Sequence, residues 1–235
     1  MKHLPIFKYI ALVVYLFFNT ATMRAQDINQ LVAKAKAKIQ QVNDYEASGR
    51  MKTNVAFLKV PVADIKVYFK KPNKLKIKSE RGISFIPKGA VSINMSNILG
   101  EDNYTIIDAG TEKVGNTTVR VAKLLPMDDN SDVVLSTVYI DPLNNLIRKA
   151  KTTTKENGTF ELQMDYGKYA DLGLPDKIVF SFNTKDYKLP KGVTFDFDDG
   201  TTAAKSTETK NKKGRAEIIF GTYIINKGVS DAVFK

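Results

Sequence analysis

Hydrophobic and polar positions change period once along this chain. From Ile28 to Val42 the apolar residues are Ile28, Leu31, Val32, Ala35, Ile39 and Val42, with Lys34, Lys36 and Lys38 between them. Intervals of three and four put the apolar set on one side of a helix and the lysines towards solvent. Asp27 stands one residue ahead, where an N-capping carboxylate belongs. From Tyr45 the period becomes two. Over Tyr45 to Phe57 the odd positions read Tyr, Ala, Gly, Met, Thr, Val, Phe, against Glu46, Ser48, Arg50, Lys52 and Asn54. That alternation predicts a long strand with one apolar face.

The alternation continues through Ile65, Val67 and Phe69, turns at Lys71-Pro72-Asn73, and resumes at Leu75 and Ile77. Parity puts Phe69, Leu75 and Ile77 on one side with Met51 and Val55, and Lys70, Lys74 and Lys76 on the other. Gly82 to Ile86 reads as a further short strand, and Ala90 to Leu99 as a short helix or loop ending at Gly100. Tyr104 to Asp108 and Thr117 to Leu125 read as paired strands around a Gly110 to Gly115 turn region. Val133 to Asp141, Leu146 to Thr154 and Thr159 to Tyr166 follow, the last two separated by an Asn157-Gly158 hairpin signal. Ile178 to Asn183 and Ala216 to Ile225 are the late strands, with a polar loop from Asp196 to Gly214 and a short docking tail. About ten strands and one long helix, with no linker between them, predict a mainly β fold with a curved or barrel-like antiparallel sheet.

The first residues change the picture of where this sheet works. Lys2 and Lys8 precede an apolar run from Tyr9 to Phe18, and a polar segment then leads to Ala25. A core of about ten residues suits a secretory signal and falls short of the roughly twenty that span a bilayer, as an uncleaved anchor would need. Residues 1–25 are therefore expected to be a signal peptide cleaved near Ala25, and 26–235 a single exported domain in the periplasm. No cysteine is present to be acylated. The formal net charge of +11 falls by three, to +8, when Lys2, Lys8 and Arg24 leave. Export removes nucleic acid as a partner and leaves anionic membrane surfaces or acidic proteins.

Composition then narrows the chemistry. The only histidine, His3, leaves with the signal, and cysteine is absent. The mature chain cannot build a Ser-His-Asp triad, a Cys-His pair or an ordinary zinc site, so no enzyme of those kinds and no cofactor is expected. Hydrolysis by a carboxylate pair stays chemically open. Asp196, Asp198, Asp199 and Gly200 lack EF-hand spacing and read as a solvated turn. Lys66, Lys70, Lys74, Lys76 and Lys78 form a basic stripe, either a docking surface for anionic headgroups or the wet face of an exposed sheet. The inward set is rich in Phe and Met: Met51, Val55, Phe57, Ile65, Val67, Phe69, Leu75, Ile77, Phe85, Met95, Met164, Phe180, Phe182 and Phe220. Such residues make ordinary core. On a long sheet with a single helix they also suit an adaptable apolar cavity.

An N-terminal amphipathic helix, then a strand opening Asp44-Tyr45-Glu46-Ala47-Ser48, then Val67-Tyr68-Phe69-Lys70-Lys71-Pro72-Asn73-Lys74-Leu75 resembles the outer-membrane lipoprotein carrier family, the LolA/LolB/LppX-like superfamily. The resemblance implies an unclosed, half antiparallel β-barrel covered by the N-terminal helix and a short helix or loop lid. It also implies an apolar cavity for lipoprotein acyl chains or other lipid, transfer towards the outer membrane, transient contact with a membrane receptor, and a monomer. It places Lys71 at the lid latch, where the family carries arginine. Gly82-Ile83-Ser84-Phe85-Ile86-Pro87-Lys88 stands where the family has an Asp-Gly strand-turn. The other function considered is an envelope regulatory or scaffolding protein on the same fold, binding a protein partner.

Overall fold

A computed structural model describes residues 27–55, 58–59, 62–81, 99, 103–156, 158–183 and 213–235. Helix α1 spans Ile28–Ile39. Asp27 caps it, its side chain accepting from the Asn29 amide at 3.1 Å. The strands are β1 (Asp44–Val55), β2 (Leu58–Lys59), β3 (Ala63–Lys70), β4 (Lys74–Arg81), β5 (Tyr104–Val114) and β6 (Thr117–Pro126), then β7 (Val133–Asp141), β8 (Leu146–Thr154), β9 (Gly158–Asp165), β10 (Lys177–Asn183) and β11 (Lys213–Ile225). Short 3₁₀ turns lie at Ala170–Leu172 and Asp231–Phe234.

Every described pairing is antiparallel, and the strand order is β4-β3-β1-β11-β10-β9-β8-β7-β6-β5, with β2 added to β1. β4 and β5 end the path and do not pair with each other, so the barrel is unclosed. The chain runs as a meander except from β4 to β5, which lie at opposite ends of the path. β11 continues the meander from β10 and pairs with β1 on its other side, which joins β1, β3 and β4 to the rest of the sheet.

Side-chain parity is carried across the sheet in rows. One row runs Ala122, Val138, Ala150, Leu162, Phe180, Ala216, Thr53 from β6 to β1. The next towards the β7–β8 turn contains Met164, Ile178, Ile218, Met51 and Ala63. All of these are buried, and all but Thr53 form one cluster with Ile28, Leu31, Val32 and Ala35 of α1. Because a strand alternates faces, one largely apolar parity carried from β4 to β6, and to Tyr104 and Ile106 at the start of β5, gives one inner face. The helix lies against the β5 to β8 part of it.

Two places needed the structure. The Gly110 to Gly115 region reads as a turn in sequence, yet β5 continues to Val114 and the turn is confined to Gly115 and Asn116. A bulge at Asp108–Thr111 accommodates the glycine: Gly110 takes φ +83° and its amide donates to Asp108 Oδ1 at 2.9 Å. The second place is Gly49, at the register shift between β1 and β11. A Cβ there would stand 2.5 Å from the Ile219 carbonyl oxygen, which belongs to the backbone of the paired strand. The predicted elements Gly82–Ile86, Ala90–Leu99 and Asp196–Gly214 and the signal segment fall outside the described residues, apart from Leu99, Lys213 and Gly214. Leu99 is buried in the main cluster.

The β7–β8 turn is organised by Asp141, whose side chain is almost fully buried. Its Oδ1 accepts from the amides of Leu143 at 3.0 Å and Asn144 at 3.3 Å, and its Oδ2 from Asn144 Nδ2 at 2.9 Å and Arg148 at 3.4 Å. Burial pushes its pKa up, but those hydrogen bonds and the Arg148 charge outweigh it and hold the carboxyl below the usual aspartate range.

A folded-state pKa below the unfolded one contributes stability that is present above the unfolded aspartate pKa and lost as pH falls through the folded one. Urea unfolding across pH 2–6 should show an acid limb that Asp141→Asn reduces, with a loss of about 1–3 kcal/mol at neutral pH. Gly49→Ala should cost about 1–3 kcal/mol through overpacking against the β11 backbone, read as a lower urea midpoint at unchanged slope.

Candidate functional site

The inner face is the candidate site, and its two ends differ. Near the C-terminus of α1 it is closed by aromatic rings. Tyr45 lies 5.3 Å from Phe69 and 5.4 Å from Tyr223, and Tyr223 lies 5.1 Å from Phe220 and 5.0 Å from Tyr169, centroid to centroid. The Tyr223 hydroxyl donates to the Pro175 carbonyl at 2.7 Å, and that of Tyr166 to the Ile147 carbonyl at 2.8 Å. Burial pushes the phenols of Tyr45, Tyr166 and Tyr223 upward, so they stay neutral. Towards the other end stand Phe160, Phe180 and Phe182, with Phe180 5.6 Å from Phe160 and 5.3 Å from Phe182. There the apolar face also carries a hydroxyl pair, Ser136 Oγ and Thr152 Oγ1, 2.6 Å apart and both buried.

Of the residues read from sequence as lining, Met51, Ile65, Val67, Phe69, Met164, Phe180, Phe182 and Phe220 are buried on this face. Leu75 and Ile77 are half-buried and pack against the same cluster from edge strand β4. Val55 is the last residue of β1 and pairs with Leu58. Phe57, Phe85 and Met95 fall outside the described residues. Phe160, Leu162, Ile178, Ile218 and Tyr223 were missed as lining, although the alternation of their strands carries the same signal.

Lys71 sits at the β3–β4 turn and reaches the end of α1. Its ammonium donates to the carbonyl of Gln40, the helix C-cap, and to Asn43 Oδ1 at 2.9 Å. Its own amide donates to the Asn43 carbonyl at 2.9 Å. A cation at a helix C-terminus meets unsatisfied carbonyls and the negative end of the dipole. From the same helical turn, Lys38 Nζ donates to the Asn144 carbonyl at 2.8 Å. The helix end is thus tied both to the β3–β4 turn and, through the loop that Asp141 builds, to the β7–β8 turn.

No family model and no curated protein matches this chain. Among solved structures, a LolA superfamily protein from Nitrosomonas europaea is similar over 88% of this chain and 96% of its own, at TM-score 0.54 and 11% identity. The fold is LolA-like. A domain from Vibrio parahaemolyticus, described as outer membrane lipoprotein-sorting, is similar over 87% of this chain and 94% of its own, at TM-score 0.56 and 13% identity. A DUF1329 family protein from Desulfovibrio piger is similar over 88% of this chain and 97% of its own, at TM-score 0.55 and 13% identity. The likeness is one of LolA-like architecture. In that frame the inner face is the surface a half-barrel shields from water.

Lys71→Met should therefore loosen the C-terminal turn of α1 with a modest loss of stability, about 1 kcal/mol or less. Hydrogen exchange of the amides from Ala37 to Gln40 should quicken, while the aromatic end of the sheet keeps its protection. Lys71→Arg should restore protection of that turn.

Proposed function

We propose that this protein is a periplasmic carrier that holds the acyl chains of a lipoprotein or lipid against its inner face for transfer towards the outer membrane. The observation that carries the reading is the unclosed sheet of ten strands whose inner parity is largely apolar, faced by one helix among the described residues. The signal-peptide pattern of residues 1–25 supports export and a working domain from residue 26 onward. The reaction is reversible binding rather than catalysis. A chain enters between α1 and the sheet, exchanging water for Phe, Leu, Ile and Met side chains, and gains about 0.8 kcal/mol per buried CH₂. Release requires that this gain be opposed by the work of moving the helix. Burial of the apolar stripe of α1 sets most of this work, and the ties of Lys71 and Lys38 adjust it at the helix end. Lysine offers one charged point on a flexible stem where arginine would offer a fork, so the Lys71 hold is the weaker kind of latch.

Saturated fatty acids of ten, twelve and fourteen carbons, titrated by displacement of a fluorescent acyl probe, test the reading. Affinity should rise by about fourfold for each added methylene. Lys71→Arg should slow uptake of the probe, and Lys71→Met should quicken both uptake and release. Failure of the wild type to bind any acyl probe, or affinity independent of chain length, would contradict the carrier reading in favour of a protein that binds only protein partners.

A further inference from the structure

The outer face of the β3–β4 hairpin carries Lys66, Lys70, Lys74, Lys76 and Lys78, with Tyr68 among them, because these residues share the parity opposite to the buried set. Sequence parity left Lys70, Lys74 and Lys76 open to solvent. In the structure Lys70 and Lys76 are half-buried, because the chain's own last residues lie on them. The path is fixed at its root. Asn226 Oδ1 accepts from the Asn43 amide at 2.7 Å, and the Gly228 amide donates to Asp44 Oδ1 at 2.9 Å. Beyond Gly228 the chain crosses to β4 and forms the 3₁₀ turn Asp231–Phe234, started by Ser230 Oγ accepting from the Ala232 amide at 3.3 Å.

This turn is held by charge. Asp231 Oδ1 lies 2.8 Å from Lys74 Nζ and 3.1 Å from Lys70 Nζ. Lys76 Nζ donates to the main-chain oxygen of Lys235, and Lys74 Nζ stands 6.0 Å from the centre of the Phe234 ring. No residue of the turn is buried, so no hydrophobic core holds it in place. Exposed ion pairs of this kind contribute little and weaken with salt. Lys66 is different in kind, being paired within the sheet to Glu46 and Glu80 at 3.2 Å each. The geometry therefore divides the stripe into a part neutralised by the sheet itself and a part neutralised by a detachable segment.

We infer that the outer face of β3–β4 is a docking surface for anionic phospholipid headgroups, masked by the Asp231–Phe234 turn, which the lipid surface displaces. One carboxylate sits among Lys70, Lys74, Lys76 and Lys78, so the face stays positive even when masked. The lysines are compact point charges spread over two flat strands, which suits many phosphodiesters on a plane better than one bidentate ligand. Tyr68, flanked by these lysines and with Lys78 Nζ 5.6 Å from its ring centre, adds an amphipathic ring of the kind enriched at membrane–water interfaces. The inference stands apart from the acyl-chain reading: the surface is on the opposite side of the sheet and uses none of its lining residues.

The test is sedimentation with vesicles of phosphatidylcholine alone or mixed with phosphatidylglycerol, using protein that begins at Gln26. The chain has no cysteine, so Ala232→Cys carries a single spin label that reports release of the turn. Binding should require the anionic lipid, weaken with salt, and mobilise the label. Asp231→Asn should tighten it severalfold, more than Glu112→Gln on the opposite edge strand. Joint replacement of Lys70, Lys74 and Lys76 by Gln should weaken it by about fivefold for each lysine. Binding by Asp231→Asn alone would also support masking. Binding without mobilisation, equal effects of Asp231→Asn and Glu112→Gln, capture of a poly-glutamate peptide but not of vesicles, or no vesicle binding by either protein would overturn the inference. These outcomes are independent of whether fatty acids bind the inner face.

Discussion

Burial of one stripe of α1 against the sheet is the interaction on which the rest depends. Ile28, Leu31, Val32 and Ala35 are each at most 6% exposed, and they meet a sheet that has no second sheet among the described residues to pack against. Each fully buried aliphatic side chain is worth about 1.5–3 kcal/mol. A twisted ten-stranded sheet cannot leave an apolar inner face wet, so the helix is what makes the unclosed barrel stable. In the proposed carrier function an acyl chain competes for the same contact, because both offer hydrocarbon to the same rows of side chains. Folding and the proposed cargo exchange then draw on one interaction. The polar ties of Lys71 to Gln40 and of Lys38 to Asn144 place the helix without adding much to its hold.

The two faces of the sheet follow different physics. Inside, packing is largely apolar and the tyrosines are kept neutral by burial. Outside, several lysines pair with carboxylates across neighbouring strands: Lys66 with Glu46 and Glu80, Lys149 with Glu161, Lys177 with Glu217. The Asp231 turn adds pairs to Lys70 and Lys74 from a segment outside the sheet. A hollow of about 520 Å³ also opens on the outer side, around the β1–β11 bulge, lined by Ser48, Arg50, Asp64, Glu80, Ile219 and Thr222. Its walls carry both signs of charge together with two large apolar residues, Ile65 and Ile219.

Much of this was legible from period alone. The change from intervals of three and four to intervals of two marks where α1 ends and β1 begins, and parity gave the register of β1, β3 and β4 because a slip of one would put lysines inside. The inner placement of Met51, Phe69 and Ile77 follows from that parity. What was not legible is what depends on contacts far apart in sequence. Nothing local tells that β11 returns beside β1, that Tyr45, Tyr169 and Tyr223 meet, or that Asp231 finds Lys70 and Lys74. The end of β5 was misread for a different reason: Gly110 marks a bulge as readily as a turn, and only the partner strand decides. Lys71 was read as a latch through family resemblance, and its contact with the C-cap of α1 is a detail no spacing could give.

The central claim is that the inner face holds acyl chains. Native mass spectrometry of protein gently purified from the envelope measures this most directly. The account predicts a folded species carrying bound mass that yields fatty acyl chains on dissociation, alongside an empty one. A folded protein that is always empty, including after incubation with lipid, would contradict it.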